Sequence, residues 1–456
     1  MPEIGPQHPL TYRQEITAPL FDLIASGESA AVVGPAGMGK SRLLHFLLRP
    51  DVQQHYLGEA ASHTWLVKVD CNRLAEISDW GLFYTLILTS LAKYASIWPD
   101  GEMRSWLDGL CREVLIEHNA SLAQWYVGLA TRALCREHEI KLCFIFDEFD
   151  GAYRTLPAPA LANLRALRDA DRYSVCYVLM VRDHPGRLRP RDDVEGFYEL
   201  MSRSVIGLKP YMEDDARRVI AQIVARRNRA VTAGQEAAML TLSGGHPGLL
   251  VALCDLLSNG HVAPTDGDLT AWALAQLQVV EECRKLWNGL AEDEQFALSR
   301  LANGIGASYT VRELLALKGI IGSGEQDADG FFSPVFRQYV LNEGNLSDQE
   351  LWLDEGALIV WVEGRPIADL SRLEFELLRY LHRHLEQVCL REEIMAALYP
   401  TEAQDPDKAG ADNRIDTLVR RLRKSIEPTP ARPRYLLTVR GHGYKLIDTP
   451  AGTIAP

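Results

Sequence analysis

The chain has 456 residues, 47% of them hydrophobic and 24% charged, and carries a formal net charge of −13. At roughly 100 to 200 residues per domain this length requires several domains, and the composition is that of a globular protein. No stretch approaches the ~20 apolar residues of a membrane helix, and MPEIGPQHPL has neither the basic end nor the apolar run of an export signal, so a cytoplasmic protein with no membrane partner is expected. The eight cysteines (Cys71, Cys111, Cys135, Cys143, Cys176, Cys254, Cys283 and Cys389) form no CxxC pair and several lie in apolar runs, as reduced core residues do. The acidic total argues against nucleic acid, but Arg414 to Lys445 holds nine Lys or Arg against only Asp416 and Glu427. Such a local basic patch is a better DNA signal than the sum over the chain.

In chain order, residues 8–27 have helical spacing and stop at Gly27, after which SAAVVGPAGMGKSRLLHFLL reads as strand, glycine loop and helix. Gly34-Pro35-Ala36-Gly37-Met38-Gly39-Lys40-Ser41 satisfies GxxxxGK[ST]. Its glycines let backbone N–H groups curl around phosphates and Arg42 continues into the helix, whose positive end faces them. ATP or ADP with Mg²⁺ is the expected cofactor, Lys40 reaching the β- and γ-phosphates and Ser41 the metal. TWLVKVD (64–70), LCFIFD (142–147) and SVCYVLMV (174–181) are apolar throughout and separated by helical stretches, which predicts a parallel sheet covered on both faces. Asp147, at the end of its strand, is the second metal anchor, and Glu148 is placed to polarise an attacking water. Asp150 reads as a cap or surface residue. Arg182 follows the next strand, either as a sensor of the γ-phosphate or as an exposed strand-end arginine.

Residues 212–258 read as a helical lid. Its Ser243-Gly-Gly-His-Pro247 turn would bring Pro247 against the adenine and His246 near the phosphates, unless glycine and proline serve only to break the helix. Short helices, ELLALKGIIG and FFSPVFRQYVL near 280–345 suit a winged helix, and its few basic residues suggest a transducer of nucleotide state. Polar residues 345–349 mark a boundary, and from Leu351 alternating strands precede three helices and a hairpin. Along Asn413 to Ile426, Ile415, Leu418, Val419, Leu422 and Ile426 make one core face. The opposite arc carries Asn413, Arg414, Thr417, Arg420, Arg421 and Lys424, groups able to contact phosphates and guanine edges.

These motifs together resemble, over residues 8–345, the STAND branch of AAA+-related ATPases, with kinship to Orc/Cdc6-type ATPases. The resemblance implies that Tyr12 and Arg13 lie beside the adenine, although Thr-Tyr-Arg replaces the family's usual glycine form, and that nucleotide exchange changes shape or assembly. Leu351 to Leu446 resembles the winged-helix effector domain of OmpR/PhoB-type response regulators through SRLEFELLRYL, VRRLRKSIEP and PRYLLTVRGHGYKL. That likeness implies a third helix in the major groove, with Arg420, Arg421, Arg423 and Lys424 reading or gripping DNA, and a wing contact from Arg440. The sequence departs from it in Asn413-Arg414 at the helix start and in a long acidic loop over 399–412.

The expected fold is α/β: a P-loop parallel sheet with a helical lid, followed by two winged-helix domains. The expected boundaries are an ATPase core over 1–207, the lid over 208–268, a first winged helix over 269–347, a DNA-binding winged helix over 348–448 and a tail over 449–456. The expected function is a slow ATPase switch regulating transcription on double-stranded DNA, self-associating on nucleotide exchange and taking its signal from a separate sensor protein. The alternatives are an Orc/Cdc6-like or transposition-type ATPase assembling on DNA, and an antiphage or signalling scaffold whose winged helix binds protein.

Overall fold

The computed structural model describes residues 8–74, 80–95, 101–117, 119–190, 194–227, 230–258, 268–304, 306–322, 330–343, 351–354, 359–362, 365–367, 370–399 and 411–447. The expected boundary at 345–349, residues 400–410 of the expected acidic loop over 399–412, and the tail at 449–456 lie outside these residues. The chain divides into two compact units, Met1–Ala291 with Glu313–Tyr339, and Glu292–Arg312 with Val340–Pro456.

The first unit is built on five parallel strands: β1 (Ala30–Val33), β2 (Thr64–Asp70), β3 (Lys141–Asp147), β4 (Val175–Val181) and β5 (Val205–Gly207), in the order β2-β3-β4-β1-β5. Strands β1 and β4 are buried at every position, as the apolar runs require for a sheet covered on both faces. β1 lies between β4 and β5, so the loop leaving its C-terminal end opens at the point where the strand order reverses, the usual ligand position in an open α/β sheet. Three residues of β5 are too few to register as a periodic run, which is why the sequence does not announce it. Between β2 and β3 stand the helices Trp80–Ala95, Gly101–Glu117 and Ala120–Arg132; Asn119 caps the last through bonds from the N–H groups of Ser121 and Leu122. All eight cysteines are buried and unpaired.

The helices Glu213–Arg226, Ala233–Ser243 and Pro247–Ser258 form the expected lid. Thr232 and Gln235 close a reciprocal capping box at the start of the second. The segment read as a first winged helix contains, among the described residues, helices Leu269–Leu274, Leu277–Asn288, Glu292–Ala302, Tyr309–Leu317 and Pro334–Glu343 and a single antiparallel bridge from Ile321 to Phe331.

The second unit carries a winged helix. Strands β6 (Leu351–Asp354), β7 (Ile359–Val362) and β8 (Arg365–Ile367) pair as an antiparallel platform. Helices Arg372–Arg383, Arg391–Leu398 and Ala411–Ile426 follow, and β9 (Val388–Leu390) joins the hairpin β10 (Leu436–Val439) and β11 (Gly443–Leu446) in the order β10-β11-β9. Ile415, Leu418, Val419, Leu422 and Ile426 are all in its core, together with Phe375, Leu378, Tyr435 and Leu446. Glu427, only 6% exposed, fastens the hairpin to the third helix: its carboxylate accepts from the backbone N–H groups of Arg434, Tyr435 and Leu436 at 2.6, 2.9 and 2.7 Å. Replacing Glu427 with Ala strands three donors, each worth about 1 kcal/mol or more. We expect Glu427→Ala to lose roughly 3 kcal/mol in denaturant unfolding of this unit; a loss below about 1 kcal/mol would remove the clasp.

Candidate functional site

Lys40 opens the helix Lys40–Leu47 directly after the turn, with Gly37 at φ 81° and Gly39 at φ 89°. Both angles favour glycine, the only residue that adopts them without strain. Lys40 is 5% exposed, and its ammonium donates to the carbonyl of Gly34 at 2.5 Å. Burial lowers its pKa, partly offset by Glu148, Asp150 and Asp147.

Arg13 is the anchor beneath this loop. It is fully buried in a left-handed conformation (φ 49°), and its guanidinium donates to Met38 O at 2.9 Å and Lys209 O at 2.6 Å while lying 4.3 Å from the centre of the Tyr211 ring. Its backbone N–H donates to Asp215 on the first lid helix at 2.9 Å. Tyr12, also fully buried, bonds Tyr211 through their hydroxyls at 3.0 Å, and Arg42 donates to the same Tyr211 oxygen at 2.8 Å. Tyr12 and Arg13 thus bind loop, post-sheet linker and lid together.

Asp147 ends β3, and Glu148 follows at φ 50°, a left-handed strain at a non-glycine residue. Glu148 is paired with Arg182 at 2.8 Å. Asp147 is 5% exposed; one oxygen meets Lys68 at 2.9 Å, and the other, Oδ1, is buried without a partner. A carboxylate oxygen left bare at a strand end, together with the exposed Ser41 at the first turn of the loop helix, suits a hydrated Mg²⁺. Asp150 opens the helix Asp150–Thr155, and of its two sequence readings only the surface one fails: it is 9% exposed and accepts from the Arg182 backbone N–H at 2.8 Å, because the strand end it closes lies inside the fold. Burial raises its pKa.

The lid turn reaches the same place. Gly244 (φ 53°) and Gly245 (φ 76°) allow backbone contact that no side chain would: a Cβ on Gly244 would lie 1.6 Å from Phe332 O, and one on Gly245 2.3 Å from Tyr211 O. His246 is fully buried, with Nδ1 accepting from Leu249 N–H at 3.2 Å and Nε2 unpartnered. A Cβ on Gly37 would meet its Cε1 at 3.0 Å, so the ring abuts the loop. A cavity of about 780 Å³ opens here, lined by Pro35 to Gly37, Gly39 to Arg42, Glu148, Arg182 and Pro247, and on its far side by Asp255, Glu281, Glu282 and Lys285. Met38 is buried outside this lining. Lys68, Glu282 and Lys285 were missed by sequence reasoning, since nothing in their local context marks them.

In the second unit, Arg414, Thr417, Arg420, Arg421 and Lys424 are exposed along one helix, and Arg440 is exposed on the hairpin. The side chain of Asn413 lies outside the described residues. Arg423 turns the other way, donating to Leu436 O at 2.7 and 3.0 Å and to Thr438 Oγ1 at 2.8 Å, so its bonds brace helix to wing. Asp416, an acid on the basic helix, is held by Arg391 at 3.0 Å and by the Tyr444 hydroxyl at 2.5 Å. Tyr444, 3% exposed, packs in the core of this unit.

Burial, with Arg13 as a lesser cause, pushes His246 down to about 3 from an ordinary 6.5. The unfolded state therefore binds the extra proton between these values, and the contribution of the neutral ring is complete above pH 6.5 and lost as pH falls toward 3. Linkage puts the loss at roughly 2 kcal/mol by pH 5. His246→Asn, which keeps an acceptor near Nδ1, should flatten the fall in unfolding free energy between pH 7 and 5; an unchanged slope would contradict this assignment.

Residues 364–446 match the family model described as "Transcriptional regulatory protein, C terminal". The sensory transduction protein RegX3 of Mycolicibacterium smegmatis is 33% identical over 139 residues, 30% of this chain and 54% of that protein. The chain spans about half the length of that curated relative. Among solved structures, the DNA-binding domain of Klebsiella pneumoniae RstA in complex with the RstA box is 26% identical, covering 23% of this chain and 96% of that one at a TM-score of 0.20. The ORC2 protein of Aeropyrum pernix in its ADP form is 14% identical, covering 87% and 97% at a TM-score of 0.44. Over residues 364–446, then, the chain carries a winged helix of the transcriptional regulatory C-terminal type.

Proposed function

We propose that the protein is an ATP- and ADP-holding switch of STAND type that binds double-stranded DNA through its C-terminal winged helix and regulates transcription. The observation that carries this reading is the presence, in one chain, of a phosphate loop facing a lid-lined cavity and a regulator-type C-terminal domain. RegX3 is named as a sensory transduction protein, which fits a signalling role, but its remaining length is not shared with this chain.

Nucleotide would lie in the cavity with its phosphates on the Gly34 to Ser41 backbone. Mg²⁺ held by Ser41 and Asp147 would supply charge neutralisation. Lys40 would leave Gly34 O for the β- and γ-oxygens, and Glu148 would orient water for in-line attack once Arg182 turns from it toward the γ-phosphate. Because Glu148 is already committed to Arg182, hydrolysis is slow and the bound nucleotide is long-lived. Pro247 and His246 would report its identity to the lid, and exchange would drive self-association under the control of a separate sensor.

DNA binding to genomic fragments should differ at least about tenfold among ADP, ATP and nucleotide-free protein, and Lys40→Ala should abolish the difference; equal binding in every state would sink the switch. Arg420→Ala with Arg421→Ala should weaken binding by about 2 kcal/mol or more and make its salt dependence shallower by about one power per lost phosphate contact. Glu148→Gln should keep nucleotide binding while slowing hydrolysis by about 10² or more; undiminished turnover would free Glu148 of that role.

A further inference from the structure

Lysine is out of place in the middle of β2. Trp65, Val67 and Val69 join Phe144 and Phe146 in the core on one face of the sheet, and alternation puts Lys68 and Asp147 on the other. In the parallel register Lys68 lies opposite Ile145 and Asp70 opposite Asp147, so the ammonium reaches diagonally to the strand end. There it meets Asp147 Oδ2 at 2.9 Å, while Oδ1 stays bare. One oxygen of the carboxylate proposed as metal anchor is thus held by a protein cation, and the other is buried without a partner.

We infer that Lys68 is a built-in counter-cation for Asp147, allowing the pocket to hold a nucleoside diphosphate when no divalent metal accompanies it. The inference rests on the nucleotide reading of the cavity. Lys40, Lys68 and Arg182 stand at this end of the sheet with Asp147, Glu148 and Asp150, and Asp70 lies opposite Asp147 in the register. Without Lys68 the excess of carboxylates grows and repels a polyphosphate until a metal offsets it; with Lys68 that excess is reduced beforehand. The same ammonium opposes an arriving Mg²⁺, so one residue both supports the metal-free complex and weakens the metal-bound one. A nucleotide held through its diphosphate, with little help from the metal, suits a site that stores rather than turns over.

The test is equilibrium binding of a fluorescent ADP to the full chain, in excess EDTA and in excess Mg²⁺ at constant ionic strength. Wild type should bind with affinities within about threefold of each other, and Lys68→Met should raise the ratio of the two dissociation constants by about tenfold, through weaker binding in EDTA. Lys68→Arg should retain the wild-type ratio. Adding Asp147→Asn to Lys68→Met should restore binding in EDTA, because it removes the charge left uncompensated; this arm also separates the electrostatic role from a folding defect. An unchanged ratio in Lys68→Met, or no rescue by Asp147→Asn, overturns the role of Lys68 while leaving nucleotide binding standing. Absence of ADP binding by wild type in both conditions overturns the nucleotide reading itself, and this inference with it.

Discussion

One buried guanidinium holds the nucleotide end of the protein together. Arg13 is fully enclosed, and burying a charge is costly unless hydrogen bonds and neighbouring dipoles replace water. Here the Met38 and Lys209 carbonyls and the face of Tyr211 do so, and the backbone of the same residue reaches Asp215 on the lid. The planar guanidinium ties the loop to the linker, and the backbone N–H adds the lid. The left-handed backbone at Arg13 stores strain of about 1 to 3 kcal/mol, tolerated because the surrounding bonds over-determine it. Loop, linker and lid are therefore tied together through one residue.

Around that piece, the groups fit for chemistry are already engaged. Lys40 rests on Gly34 O, Glu148 on Arg182, and Asp147 on Lys68. In the proposed mechanism Lys40 and Glu148 would each exchange one partner for another, giving up a charge-assisted bond at least partly shielded from water, while Asp147 keeps Lys68 on one oxygen and has the other without a partner. Such an arrangement favours residence over flux. It also sets direction, since a ligand that satisfies only Lys40 leaves the Glu148–Arg182 pair intact, whereas one reaching Arg182 breaks it. In the proposed switch, discrimination between a diphosphate and a triphosphate would rest on this difference in reach.

What the sequence revealed was local. The glycine loop, the apolar strands β1 to β4, the lid helices and the amphipathic helix Ala411–Ile426 each declare themselves within about twenty residues, through periodicity or a motif whose spacing is itself the physics. The partners were not legible, because they come from far along the chain. Gly244 and Gly245 read as a helix break, yet their lack of side chains also admits the Phe332 and Tyr211 carbonyls. Lys68 is hidden in a run whose neighbours read as an apolar strand. Arg423 sits among basic neighbours and shares their composition, but only the fold shows Leu436 O within its reach. Asp150 could be read as a surface residue because its burial depends on β4, whose Arg182 N–H it accepts.

The C-terminal helix poses the opposite problem, a basic surface on an acidic chain. A net charge of −13 opposes approach to any polyanion at long range, and this opposition is weakened as salt shortens the screening length to about 8 Å at physiological strength. Within that distance the exposed cations Arg420, Arg421, Lys424 and Arg440 dominate. Asp416 modifies them from inside the same helix. Its carboxylate is committed to Arg391 and Tyr444, so it fixes the helix against the wing, and its charge is already partly answered before DNA arrives. Distant repulsion lowers indiscriminate association, which depends on charge alone, more than it lowers a fitted complex supported by hydrogen bonds and shape. If the winged helix binds DNA as proposed, the acidic composition would therefore add to selectivity rather than count against binding.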